Sequence, residues 1–174
     1  MDISLAFDHE LMAFDLVLAE DGGNRDLQGD AGLLAAVIVS LFTDRRAAPD
    51  DPLPDERVGV SSDRRGWWGD HILEEDARDL TGSRLWLLNR EKDMDAVVER
   101  ARQYAEEALA WIVRDRLATE LRVNAFREAP GWLGIDIQAL PLPGVDEKTR
   151  EWNFVYDYVN AAPVSVRSGF GLAA

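Results

Sequence analysis

The spacing of apolar and polar positions changes period twice along the chain. Near the start, Ile3, Leu5 and Phe7 alternate with Ser4, Ala6 and Asp8, and Phe14, Leu16 and Leu18 alternate with Asp15, Val17 and Ala19. An extended chain points successive side chains to opposite faces, so these stretches predict two short strands paired as an N-terminal β-hairpin. The run Asp21-Gly22-Gly23-Asn24 then supplies residues that tolerate positive φ and predicts a turn. Beyond it, Leu33, Leu34, Val37, Ile38, Leu41 and Phe42 recur at helical steps. That stripe predicts a core helix from about Ala31 to Thr43, with Asp30 as its N-cap.

Between Arg45 and Asp63 the prolines Pro49, Pro52 and Pro54 stand among acidic residues, which excludes a helix interior or a central strand and predicts an exposed loop. Helical spacing resumes over Thr81 to Asn89, with Leu85, Trp86 and Leu88 toward a core. A longer helix is predicted from about Met94 to Leu117: Met94, Val97, Val98, Ala101, Ala105, Ala108 and Ile112 form its stripe, and Glu99, Arg102, Glu106 and Glu107 face solvent.

The last third returns to alternation. Leu121, Val123 and Ala125 lead to a Pro130-Gly131 turn, and Leu133, Ile135 and Ile137 return from it, which predicts a hairpin. Trp152, Phe154, Tyr156 and Tyr158 give a third strand one aromatic face. Ala161 to Ala174 is small and weakly patterned and is expected as a flexible tail. The predicted class is α+β, with an N-terminal β-hairpin, central helices and C-terminal antiparallel strands. One domain over residues 1–160, followed by the tail 161–174, fits a chain of 174 residues that is 47% hydrophobic.

Charge narrows the partners. With 33 acidic against 19 basic side chains, the net charge of -14 repels a phosphate backbone, so no nucleic acid is expected. The same charge suits docking onto a basic protein surface. The longest apolar run, Leu33 to Val39, is far below the roughly 20 residues of a membrane span, and Met1 to Leu5 lacks a basic leader, so no membrane partner and no export are expected. Cysteine is absent, which removes thiolate nucleophiles, disulfides and sulfur-ligated metal sites.

Chemistry finds little purchase. Asp70, His71, Glu74, Glu75 and Asp76 are the best local candidates for a hard cation, but their spacing matches no ligand pattern and fits a solvated acidic turn. His9 stands alone in a polar stretch, far from His71, so a Ser-His-Asp arrangement has no support. Gly22-Gly23 lacks the pattern and the lysine of a phosphate cradle. No cofactor or metal is expected. A glycosidase using paired carboxylates such as Asp70 and Glu74 stays open, because such a pair is defined in space and not in sequence.

The unusual feature is a repeated tripeptide. Asp44-Arg45-Arg46 closes the first helix, and Asp63-Arg64-Arg65 precedes Gly66-Trp67-Trp68-Gly69-Asp70, so the two copies bracket the Pro-rich loop. Arginine forks and adjacent indoles are typical of interface hot spots. The plainer alternative stays open: Arg45 and Arg46 also suit a helix C-terminus, and Trp67 or Trp68 would also serve as a core plug.

Three stretches carry a family resemblance: Leu33 to Arg46 (LLAAVIVSLFTDRR), Asp63 to Asp70 (DRRGWWGD) and Gly82 to Arg90 (GSRLWLLNR), followed by the long helix ending near Trp111. In this order they resemble the gene-product-46 family of Mu-like phages, relatives of the baseplate wedge protein encoded by gene 25 in T-even phages. The resemblance implies a non-catalytic structural protein of a contractile tail, a wedge component of the baseplate involved in assembly and sheath initiation. It further implies multiple copies in contact with other wedge, hub or spike and sheath proteins, in a virion or prophage-derived tail particle and in host cytoplasm before assembly. Wider relatives carry Thr-Arg-Pro-Gly-Glu after the helix and Pro-x-Phe-Gly after the loop, where this chain has Thr43-Asp44-Arg45-Arg46 and Gly66-Trp67-Trp68-Gly69, so the Mu-like branch matches better. The contact role is accordingly carried only to Arg45, Arg46, Arg64, Arg65, Trp67 and Trp68. A tail-associated peptidoglycan hydrolase with paired carboxylates is the alternative, and a free regulatory binding module of the host is a third reading.

Overall fold

The computed structural model describes residues 2–3, 5–8, 13–16, 18–21, 24–27, 29–30, 33–54, 63–72, 80–89, 94–144 and 149–170. In the N-terminal part, short strands form antiparallel ladders: β1 (Asp2–Ile3) with β6 (Gly29–Asp30), β2 (Leu5–Asp8) with β3 (Ala13–Leu16), and β4 (Leu18–Asp21) with β5 (Asn24–Leu27). Helix α1 begins at Leu33 and ends at Phe42. Asp30, expected as its N-cap, instead lies in β6 opposite Asp2, and the flanking position belongs to Gly32, outside the described residues.

The predicted long helix is α2, Met94–Leu109, and of the expected stripe Val97, Ala101, Ala105 and Ala108 are buried and Val98 is half-buried, with Leu109 buried beside them. It stops earlier than its pattern suggested. After Ala110 a single turn, α3 (Trp111–Arg114), carries Ile112 into the core, and Arg116 at positive φ reverses the chain. On the solvent side Arg102 pairs with Glu99 and Glu106, one turn to either side.

Both helices pack against one another, and α2 lies on a four-stranded antiparallel sheet ordered β10-β9-β8-β7, made of β7 (Glu120–Ala129), β8 (Trp132–Leu140), β9 (Arg150–Asp157) and β10 (Ala162–Phe170). Alternation divides its faces. Leu133, Ile135, Ile137, Trp152, Phe154 and Tyr156 point into the core with Ala125, and Phe42 of α1 meets Phe154 edge-on at 5.4 Å and stacks on Tyr156 at 5.9 Å. The other face is polar, with Asn153 donating to Asp136 at 2.8 Å and Gln138 to Glu151 at 3.0 Å. Trp132 and Val155 are apolar exceptions on that face, and so is Phe126. Its ring covers Gly134, directly opposite on β8, where an added Cβ would come within 2.3 Å of the ring.

Three further expectations need correction. The tail expected from Ala161 is strand β10 as far as Phe170, because an edge strand is held by its backbone ladder to β9 and needs no strong side-chain pattern; a register shift accommodates Pro163. The stretch Thr81 to Asn89 is not an α-helix but a 3-10 turn over Leu85–Leu88, all four residues buried, because Gly82 at φ +94° turns the chain just before it. The loop after α1 is not wholly exposed: Ala47 and Leu53 are buried against Trp86 and Leu87 in a second small core. Residues 55–62 of that loop lie outside the described residues.

Candidate protein-interaction site

The C-terminus of α1 leaves backbone carbonyls that helical bonding cannot reach. Ser83 supplies what is missing. Its buried hydroxyl donates to the Leu41 carbonyl, its amide donates to Thr43 O at 2.9 Å, and its own carbonyl accepts from Arg45 N at 2.9 Å. Approach this close requires glycine next door, since a Cβ on Gly82 would sit 2.2 Å from Thr43 O. Trp86, buried two residues on from Arg84, donates its indole N–H to the Arg45 carbonyl at 2.9 Å. The chain therefore leaves α1 along a fixed path.

On that path the two Asp-Arg-Arg tripeptides meet. Ala47 N donates to Arg64 O at 3.0 Å, and an added Cβ on Gly66 would come within 2.7 Å of Arg46 Cβ. Each arginine has a different task. Arg45 pairs with Glu107 at 3.6 Å. Arg64 donates to the carbonyls of Ala48 and Asp51, holding the Pro-rich loop. Arg65, in the left-handed region at φ +50°, pairs with Asp44 of the other tripeptide and lies 4.5 Å over the Trp86 ring. Arg46 is exposed and, among the described residues, donates at 3.5 Å to the Arg65 carbonyl.

The two tryptophans do not plug the core. Trp68 is 71% exposed, Trp67 is 45% exposed, their rings lie 5.4 Å apart, and Ile72 at the end of the same 3-10 turn (Trp68–His71) is 72% exposed. Trp67 folds over Gly69, where a Cβ would be 2.1 Å from the ring, so the Trp-Trp-Gly order is sterically coupled. Asp70 fixes this turn from below: it is buried, and its Oδ1 accepts from Thr81 N at 3.2 Å.

One organising residue escaped the sequence reading. Arg84 donates to both carboxylate oxygens of Asp51 at 3.0 and 3.2 Å, to Glu107 at 2.7 Å, and lies 4.8 Å from the Tyr104 ring centre. Burial opposes its charge, yet the hydrogen bonds it donates to Glu107 and Asp51 outweigh that and hold its pKa above the ordinary arginine value. Its only signal was membership of the Gly82 to Arg90 string. Around these residues lie two adjoining clefts: one of about 460 Å³ walled by Arg45, Arg46, Arg64 and Arg84 over Ala47 and Pro49, and one of about 560 Å³ between Val39 and Trp111.

Of the acidic cluster, only the Asp70 side chain falls among those described. Asp70 is inside, and Glu74, Glu75 and Asp76 lie outside the described residues, as does the His71 side chain; among the described residues no group of metal-binding side chains converges. No helix of the described residues is long and apolar enough to cross a membrane.

The family model described as Phage protein GP46 matches residues 33–142. The chain belongs to the GP46 family. Two relatives bear the same designation. Baseplate protein gp46 of Escherichia phage Mu is 47% identical over 126 residues, covering 72% of this chain and 79% of the relative. Mu-like prophage FluMu protein gp46 of Haemophilus influenzae is 33% identical over 141 residues, covering 80% of this chain and 89% of the relative. The GP46 match runs from α1 to the turn after β8 and so contains both tripeptides, the Trp67–Trp68 pair and the Gly82 to Leu88 brace.

Proposed function

We propose that this chain is a structural component of the baseplate of a contractile, Mu-like tail, working through protein contacts and not through catalysis. The observation that carries the reading is the likeness to the phage Mu protein named as a baseplate protein, 47% identical over 126 residues. The solvent-facing Trp67–Trp68 pair, mounted on an arginine-braced turn, supports contact as the mode of action, since large indoles held rigidly in solvent find their stabilisation in a partner. Within the baseplate the proposed role is that of a wedge protein that helps initiate the sheath, present in several copies beside wedge, hub or spike and sheath subunits. The outer strands β7 and β10 support strand addition as a second mode of contact, because each pairs with a sheet neighbour on one side only among the described residues. We take α1 through β10 as one unit, in keeping with the core cluster shared by both helices and the sheet.

The test is a tail preparation from cells in which the gene is deleted and then restored. The expected outcome is that tails fail to assemble without the chain, that the restored chain is found in the tail particles, and that Trp67→Ala with Trp68→Ala leaves the protein folded yet absent from particles. Complete, contractile tails built without it would end the proposal.

A further inference from the structure

Among the arginines around the first cleft, Arg46 stands apart. The nearby carboxylates are committed elsewhere: Asp44 to Arg65, Asp51 to Arg84, and Glu107 to Arg84 and Arg45. Arg64 spends its guanidinium on the carbonyls of Ala48 and Asp51. Arg46 is exposed, lines the cleft of about 460 Å³, and makes a single long bond among the described residues. A guanidinium carries five donors in a planar fork that matches a carboxylate, so most of its capacity faces outward. The net charge of -14 does not cancel this locally, because screening in salt confines each charge to within about 8 Å.

The second half of the constellation is apolar and adjacent. Gly66 packs against Arg46, and the chain runs directly from it into Trp67 and Trp68, with Ile72 beyond. We infer that this face receives a segment of another protein in which an Asp or Glu side chain stands close to a large apolar one: the carboxylate seats on Arg46 at the cleft mouth, and the apolar side chain lies on Trp68 and Ile72. The inference rests on the contact reading above and names the chemistry of the partner. Charge complementarity selects it. A nucleic-acid backbone would need a continuous basic stripe, whereas here Asp44, Asp51, Asp63 and Glu107 are interleaved with the arginines.

A displayed library of random peptides about twelve residues long, selected on the full chain, tests this without any tail particle. Enriched peptides are expected to carry Asp or Glu within a few positions of Trp, Phe or Leu. Synthetic copies should bind about tenfold more weakly to Arg46→Glu and to Trp68→Ser. Arg46→Lys should recover only part of the binding, since an ammonium keeps the charge but not the fork. Circular dichroism checks that each variant is folded, and Arg46→Gln replaces Arg46→Glu should the reversal unfold the chain. Enriched peptides without acidic residues, equal binding to the Arg46 variant, or no enrichment would overturn the inference. So would concentration-dependent self-association abolished by Arg46→Glu, which would assign the face to a second copy. Tails that contain the chain, with no acidic peptide selected, would refute this site and leave the baseplate role standing; selection of such peptides by a chain absent from tails would do the reverse.

Discussion

The sheet with its helices and the segment from Asp44 to Leu88 are held together by different physics. In the first, apolar side chains from β8, β9, α1 and α2 interlock, and polar groups are confined to the outer face. In the second, Leu85 and Leu88 reach into the main core and Ala47, Leu53, Trp86 and Leu87 form a small one of their own, but the path between them is ordered by arginines bonded to carbonyls and carboxylates and by glycines that permit close backbone approach. Of its three tryptophans, Trp86 is buried while Trp67 and Trp68 face outward. Burial is tolerant of polar detail but sensitive to volume, whereas a bonded brace is sensitive to geometry and leaves its surface free for contact.

Substitutions should separate the two regimes. Phe154→Ala empties the middle of the packed region and should cost about 3–5 kcal/mol in urea unfolding, the largest effect anticipated. Gly82→Ala should come next at about 2 kcal/mol, since it adds a clash with Thr43 O to an unfavourable φ; a loss below about 0.5 kcal/mol would show that the path after α1 is softer than described. Arg84→Met removes the guanidinium that Asp51 and Glu107 share, leaving Asp51 with the Ala48 amide and Glu107 with Arg45, and should lower stability by about 1–2 kcal/mol. A double-mutant cycle with Asp51→Asn should recover part of that loss, and strict additivity would mean that the pair is not coupled. Trp68→Ala should shift the urea midpoint least, by an amount equivalent to about 0.5 kcal/mol or less, while removing the chain from tail particles. A large loss of stability there would return the indole to the core and erase the contrast.

Much of the packed region was legible from spacing. Period two located β7, β8 and β9, and the helical stripes located α1 and α2, because a side chain's direction relative to a core follows from local backbone geometry. The ends were less legible. The apolar stripe ran on past Leu109, yet the break at Ala110 and the turn at Arg116 depend on where the chain must join β7. Strand β10 escaped because an edge strand with small residues is stabilised by pairing that no local pattern announces.

For the candidate site, sequence alone supplied the residue types and their order: a repeated Asp-Arg-Arg, a Trp-Trp-Gly, and a family resemblance that the GP46 match supports. Only the tertiary structure decided that the tripeptides lie side by side, that Arg45, Arg64 and Arg65 are engaged while Arg46 faces outward, and that both indoles are exposed. It also brought in Arg84, whose partners Asp51 and Glu107 stand 33 and 23 residues away. Spacing along a chain fixes which way a side chain points from its own element, but which charge it meets is a property of chain closure.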